Sequence, residues 1–194
     1  MKVSEIFYSL QGEGYHSGTP AVFVRLAGCN LSCPFCDTAT GGGTDLSEQS
    51  IAKAVDRYPA RLVVVTGGEP SLQLTSTLVD LLHEGGKYVA VETNGTHPLP
   101  AEVDWITLSP KDPWLGDAAR PVLAAANELK VVFDGGHEPQ GYPHISISHA
   151  RFLQPCDTGD PVRNAAIATA AAQYIMAHPQ WRLSLQTHKI IGIQ

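Results

Sequence analysis

Three cysteines fall within eight residues, Cys29-Asn30-Leu31-Ser32-Cys33-Pro34-Phe35-Cys36. Cysteine thiolates are the usual ligands of iron–sulfur clusters, and four are expected where a cubane only carries electrons. Three on one short loop would hold three irons and leave the fourth open to a small molecule. The plainer reading is a structural zinc loop. Zinc sites close with four ligands, usually as paired Cys/His knuckles, and the sequence contains no second knuckle. Cys156, far downstream, could instead complete the ligand set of an electron-transfer iron–sulfur protein. A zinc-stabilised binding module without catalysis is the other reading from a different class.

Four further polar motifs have the composition of ligand-binding loops: Thr66-Gly67-Gly68-Glu69-Pro70, Glu92-Thr93-Asn94-Gly95-Thr96, Ser109-Pro110-Lys111 and Gln154-Pro155-Cys156-Asp157. Paired glycines let a ligand reach backbone with no Cβ in the way. Arg25 ends an apolar run just before the cysteine loop, and its planar fork suits a carboxylate; the competing role is a surface ion pair. Glu69 is expected to brace either a ligand amino group or its own loop. The eight histidines show no tight ligand spacing.

These motifs need a scaffold that brings them together. Strand-like apolar runs occur at 21–26, 61–65, 88–91, 105–108, 129–133, 144–147 and 183–185, with a short segment at 151–153. Helical spacing marks 48–58, 72–84, 121–126 and 161–177. Strands alternating with helices predict an α/β fold around a mostly parallel sheet. A closed eight-fold barrel typically needs about 250 residues. A chain of 194 residues therefore fits an open, partial (β/α) barrel of about six parallel strands with shortened helices, spanning 1–194 as one domain. The polar motifs follow strands, so they would converge at the carboxyl-terminal mouth, where such barrels carry their active sites. Gly41-Gly42-Gly43 and Asp134-Gly135-Gly136-His137 read as flexible loops.

Composition narrows the partners. Hydrophobic residues make up 43% and charged residues 16% of the chain, as in ordinary soluble domains. A net charge of −6 argues against broad binding to nucleic acid. No apolar run is long enough to span a bilayer, and the first residues have no signal-like segment. A cytoplasmic location is expected, with thiols available for metal rather than paired in disulfides.

The spacing C-x3-C-x2-C resembles that of the radical S-adenosylmethionine (SAM) enzymes. More specifically, Glu5–Gly14, Val22–Asn30, Cys36-Asp37-Thr38, Thr66–Pro70, Glu92–Thr96, Ser109–Lys111 and Gln186-Thr187-His188-Lys189 are similar to the 7-carboxy-7-deazaguanine synthase family. The likeness runs from near residue 3 to the carboxyl end. It implies a radical SAM core and a dimeric enzyme. The implied reaction converts 6-carboxy-5,6,7,8-tetrahydropterin to 7-carboxy-7-deazaguanine with loss of ammonia, in queuosine biosynthesis. The cofactors would be a [4Fe-4S] cluster, SAM and magnesium, with a reductant protein such as a flavodoxin.

The resemblance also implies roles for single residues. Cys29, Cys33 and Cys36 would ligate the cluster. Phe35, Cys36, Asp37, Gly68, Ser109, Pro110, Lys111, Gln154, Pro155, Cys156 and Asp157 would contact SAM. Leu10, Gln11, Gly12, Arg25, Thr66 and the terminal carboxylate of Gln194 would contact the substrate. Thr38 matches the magnesium position; read by itself it serves equally as a loop cap. No catalytic side chain is implied beyond the cluster and SAM. The chain departs from the family pattern at Cys156 and Gln194. A glycyl-radical activase, also small and built on C-x3-C-x2-C, is the nearest alternative enzyme. The three isoleucines near the chain end, Ile190, Ile191 and Ile193, suggest a tail docked into the core.

Overall fold

The computed structural model describes residues 1–36 and 41–194. In chain order the strands are β1 (Lys2–Leu10), β2 (Pro20–Leu26), β3 (Thr44–Asp45), β4 (Leu62–Gly67), β5 (Tyr88–Thr93), β6 (Trp105–Leu108), β7 (Ala125–Phe133), β8 (Ser146–Pro155) and β9 (Arg182–Leu183). They form one sheet in the order β3-β1-β2-β4-β5-β6-β7-β8-β9. From β2 to β9 every pairing is parallel, whereas β1 runs antiparallel to both β2 and β3. The six longer parallel strands are those of the expected open barrel.

Helices α1 (Glu48–Val55) and α2 (Ser76–Glu84) start at side-chain caps, Ser47 accepting from Ser50 N and Thr75 from Leu78 N. Such caps satisfy amide donors that a helix leaves open at its amino end. Both helices turn their apolar faces, Ile51 and Val55 on one and Leu78, Val79 and Leu82 on the other, onto Val22, Val24, Val63, Val65, Val89 and Val91. On the opposite flank α4 (Pro161–Ala177) sets Ile167 and Ala171 among Leu129, Val131 and Leu153.

Side chains alternate along a strand, so the residues between those valines face inward. Phe23, Val64, Ala90 and Trp105 stand in register across four strands and form an apolar plug with Ala21 and Leu62. One step further along the same strands come Arg25, Thr66, Glu92 and Thr107. The inner face thus changes from apolar to polar toward the carboxyl ends, and each polar motif sits at a strand end: Thr66-Gly67 closes β4, Glu92-Thr93 closes β5 and Gln154-Pro155 closes β8.

Three expectations are corrected. Residues 121–126 are not a helix: Val122 N donates to Gly95 O and Ser146 N to Ala124 O, and β7 begins at Ala125. Sheet pairing overrides the local pattern, and the helical turn lies earlier, in α3 (Asp112–Leu115). The separate runs at 144–147 and 151–153 merge into β8, with a register shift against β7 between Ala126 and Glu128. The tail is a short helix, α5 (Thr187–Ile191), whose Ile190 and Ile191 are 69% and 59% exposed. It is therefore not docked into the core.

The loop after β4 is stitched to the loop after β2. Gly68 N donates to Leu26 O and Glu69 N to Gly28 O, each at 2.9 Å. Gly67 holds φ at +114°, and a Cβ on Gly68 would collide with the Gly28 carbonyl oxygen beside Cys29. Overpacking of this kind typically costs about 1–3 kcal/mol. Gly68→Ala is expected to lose that much stability in urea unfolding and to take up less iron per chain. Wild-type values for both would show that the close approach is dispensable.

Candidate active site

The strand ends enclose a cavity of about 470 Å³, within the usual size range for small-molecule sites. Its wall carries Cys29, Cys33, Phe35, Cys36, Gly68, Ser109, Lys111 and the Gln154–Asp157 segment; Leu10, Gln11, Gly12, Arg25, Thr66 and Gln194 line the same cavity. Pro110 is buried behind it. Asp37 and Thr38 lie outside the described residues. Positions spread from residue 10 to residue 194 are therefore brought to one mouth.

The thiols fit a cluster. All three face one cavity, and Leu31 N points at Cys29 Sγ from 3.4 Å. Burial raises the Cys29 and Cys33 thiols, and the mutual repulsion of the sulfurs adds to it, while the Lys111 charge pulls both down. A cationic cluster core would relieve that repulsion. Among the described residues no three His, Cys, Asp or Glu side chains converge on a single ion; in a cubane each sulfur meets its own iron. Lys111 Nζ donates to the Ser109 carbonyl at 2.5 Å and to Ser109 Oγ at 2.6 Å. Burial pulls its pKa down to about 8. Cys156 is buried at the end of β8, with four strands of the sheet between β8 and the strand that leads into the cysteine loop.

Glu69 braces loops. It is 1% exposed, and it accepts from Ser71 N in its own loop and from Thr93 Oγ1 and Asn94 N in the next. Asn94 in turn donates to Asn30 inside the cysteine loop.

Beneath this wall lies a charge network that the sequence reading left without a role. Lys130 Nζ is 2.5 Å from Glu13 Oε2 and 3.0 Å from Glu92 Oε1. Glu92 also accepts from Thr66 Oγ1 at 3.0 Å and Gln11 Nε2 at 3.2 Å, and Glu13 accepts from Gln186 Nε2. Glu128, inward-facing two residues before Lys130, accepts from Thr107 Oγ1 and Tyr15 N. The available signal was Lys130 itself, a charge inside the apolar run 129–133. Burial would lower the Lys130 pKa, but Glu13 and Glu92 hold it well above the usual range.

Arg25 makes an ion pair while still lining the cavity. Its Nε lies 2.9 Å from Glu5 Oε1, without the alignment of a hydrogen bond, and its guanidinium sits 5.4 Å from the centre of the Phe7 ring. The two terminal nitrogens hydrogen-bond no group among the described residues. The chain end crosses nearby. Thr187 N and Oγ1 both donate to Gly12 O, Lys189 pairs with Asp157, Gln194 Nε2 donates to Glu5 Oε2, and Ser9 Oγ donates to Gln194 O.

The model of the radical SAM superfamily matches residues 23–114. A 7-carboxy-7-deazaguanine synthase of Bacteroides thetaiotaomicron is 49% identical over 193 residues, covering 100% of this chain and 98% of the relative. The chain belongs to the 7-carboxy-7-deazaguanine synthase family. A second 7-carboxy-7-deazaguanine synthase, from Bordetella pertussis, is 45% identical, with 98% of each chain covered. The crystal structure of QueE from Escherichia coli matches with a TM-score of 0.72 at 28% identity, covering 95% of this chain and 92% of that one. Membership in the 7-carboxy-7-deazaguanine synthase family carries the use of an iron–sulfur cluster and SAM, and it sets aside the zinc module and the electron carrier. No helix among the described residues is long and apolar enough to cross a membrane.

The Glu13–Lys130 pair has a consequence for acid stability. Burial alone would raise the Glu13 pKa, but the Lys130 charge and the hydrogen bonds from Lys130, Gln154 and Gln186 bring it from 4.5 down to about 2. A folded-state value below the unfolded one contributes stability that is complete above 4.5 and lost as pH falls toward 2. The contribution is on the order of 3 kcal/mol. Urea midpoints measured across that interval should fall steeply for the wild type and less for Glu13→Gln. Parallel pH profiles would show that Glu13 is not the group responsible.

Proposed function

We propose that this chain converts 6-carboxy-5,6,7,8-tetrahydropterin to 7-carboxy-7-deazaguanine with release of ammonia. The supporting observation is that one cavity joins three cysteines to an arginine fork and a hydrogen-bonding floor. A [4Fe-4S] cluster and SAM, when bound, would supply radical hydrogen abstraction from the substrate. Cys29, Cys33 and Cys36, which line one cavity, would hold the cluster beside the SAM site. Phe35, Asp37, Gly68, Ser109–Lys111 and Gln154–Asp157 are assigned to SAM, with Cys156 in the wall rather than on the iron.

On the substrate side, Glu5 and Phe7 hold Arg25 from one side and leave its terminal nitrogens to grip the pterin carboxylate. Thr66 spends its proton on Glu92, so its oxygen accepts from a ring N–H. Gln11 is pinned by Glu92 and presents the adjoining backbone, while the Gln194 carboxylate faces the amino-pyrimidine edge. The apolar plug below excludes water from this end of the cavity. Thr38 is assigned to magnesium, whose few protein ligands are typically oxygens. The reading extends to a homodimer in the cytoplasm, reduced by a low-potential carrier of the flavodoxin type.

Reconstituted protein, given dithionite, SAM and the pterin without oxygen, should form 7-carboxy-7-deazaguanine detectable by mass spectrometry, and faster with magnesium than in chelated buffer. Cys156→Ala should keep its iron and its SAM cleavage, and Cys33→Ala should lose both. Iron loss in Cys156→Ala would overturn the ligand assignment.

Arg25→Lys keeps the charge but loses the paired geometry. Charged hydrogen bonds are worth about 1.5–3 kcal/mol, so substrate use should weaken roughly tenfold or more, with substrate-independent SAM cleavage intact. Unchanged pterin kinetics would place the carboxylate elsewhere.

A further inference from the structure

Behind the cavity wall lies an aromatic and polar cluster of which the proposed function uses only Phe35. Phe35, between the second and third cysteines, meets Trp114 edge-to-face, with ring centroids 4.8 Å apart and planes at 68°. Trp114 belongs to α3, which follows Ser109-Pro110-Lys111 directly. It does not line the cavity, whereas Phe35 does. The indole touches Phe35 from outside the site.

Trp114 is itself anchored. Its Nε1 donates to Asp134 Oδ2 at 3.0 Å, and the His137 ring lies 5.1 Å from it. Asp134 is fixed in turn, since its Oδ1 accepts from Gly136 N at 2.8 Å and His137 N at 2.9 Å, and its Oδ2 lies 2.7 Å from His137 Nδ1. The glycine-rich loop after β7, which reads as flexible in the sequence, is a tight turn closed on one carboxylate. A ring on an open cavity wall has several rotamers available, and ordering it costs entropy at the moment of binding. An edge-to-face neighbour held by a hydrogen bond removes that freedom beforehand.

We propose that Trp114, anchored by Asp134, is a positioning residue that fixes Phe35 in the wall receiving SAM. This rests on the assignment of Phe35 to SAM. Its effect falls on SAM affinity and leaves cluster uptake and pterin binding alone.

The test measures SAM binding to cluster-loaded protein by anaerobic equilibrium dialysis, alongside iron per chain and pterin binding. Trp114→Ala should bind SAM about three- to tenfold more weakly, the range carried by an aromatic pair, with iron and pterin affinity unchanged. Asp134→Asn should fall between it and the wild type, and Trp114→Phe should recover most of the loss. Coupling through Phe35 is read from a double variant: Phe35→Leu with Trp114→Ala should bind SAM no more weakly than Phe35→Leu alone.

Undiminished SAM affinity in Trp114→Ala, penalties that simply add in the double variant, or iron loss in both Trp114→Ala and Trp114→Phe would each overturn the proposal. Wild-type protein that holds its cluster but binds no SAM would overturn the parent assignment as well. The two failures are therefore distinguishable.

Discussion

The ammonium of Lys130, buried between Glu13 and Glu92, ties together segments that the sheet alone does not join. Glu13 comes from the turn between β1 and β2, Glu92 from the end of β5, Lys130 from β7, and Gln186 from the approach to the chain end. Removing one partner from a buried pair typically costs about 3–5 kcal/mol, because the remaining charge is left uncompensated. An apolar trio of similar volume could be equally stable, but it would not orient Thr66 and Gln11. The charges are better understood as setting the polarity of the cavity floor than as a source of stability.

That floor is possible because each parallel strand changes character along its length. Parallel sheets are covered on both faces and usually read as continuous apolar runs. Here the outward residues stay apolar through Leu26, Val65 and Val91, while the inward ones go from Phe23 to Arg25, from Val64 to Thr66 and from Ala90 to Glu92. Strand register then places these transitions at neighbouring heights. The result is a dry lower half that carries packing and an upper half that carries chemistry. Glycines 67 and 68 allow the cysteine loop to rest directly on this upper rim.

The sequence showed most of this where the pattern is local. The cysteine loop, the glycine and acid–amide motifs, and the β-branched runs each carry their own signal, and the cavity collects the assigned residues that the structure describes, apart from Pro110. What was not legible depends on distant partners. Strand β1 buries only Val3 and leaves the rest half-buried or exposed, so its periodicity is weak. Residues 121–126 have helical spacing but are claimed by pairing with β8 and by the Gly95 carbonyl. Ile190 and Ile191 look like core residues, yet polar contacts of Gln186, Thr187 and Lys189 orient the last helix and leave both in solvent. Lys130 and Trp114 escaped because their meaning lies in Glu13, Glu92, Asp134 and Phe35, none of which is a sequence neighbour of its partner.

The strap over the cavity also bears on how the molecule is assembled in time. The cysteine loop precedes by far the residues that close the opposite rim, Gln186 to Gln194, and Gln194 reaches back to Glu5 across 189 positions. Contacts of such long sequence separation form late and slow folding. This side of the cavity therefore takes its final shape only when those last contacts close.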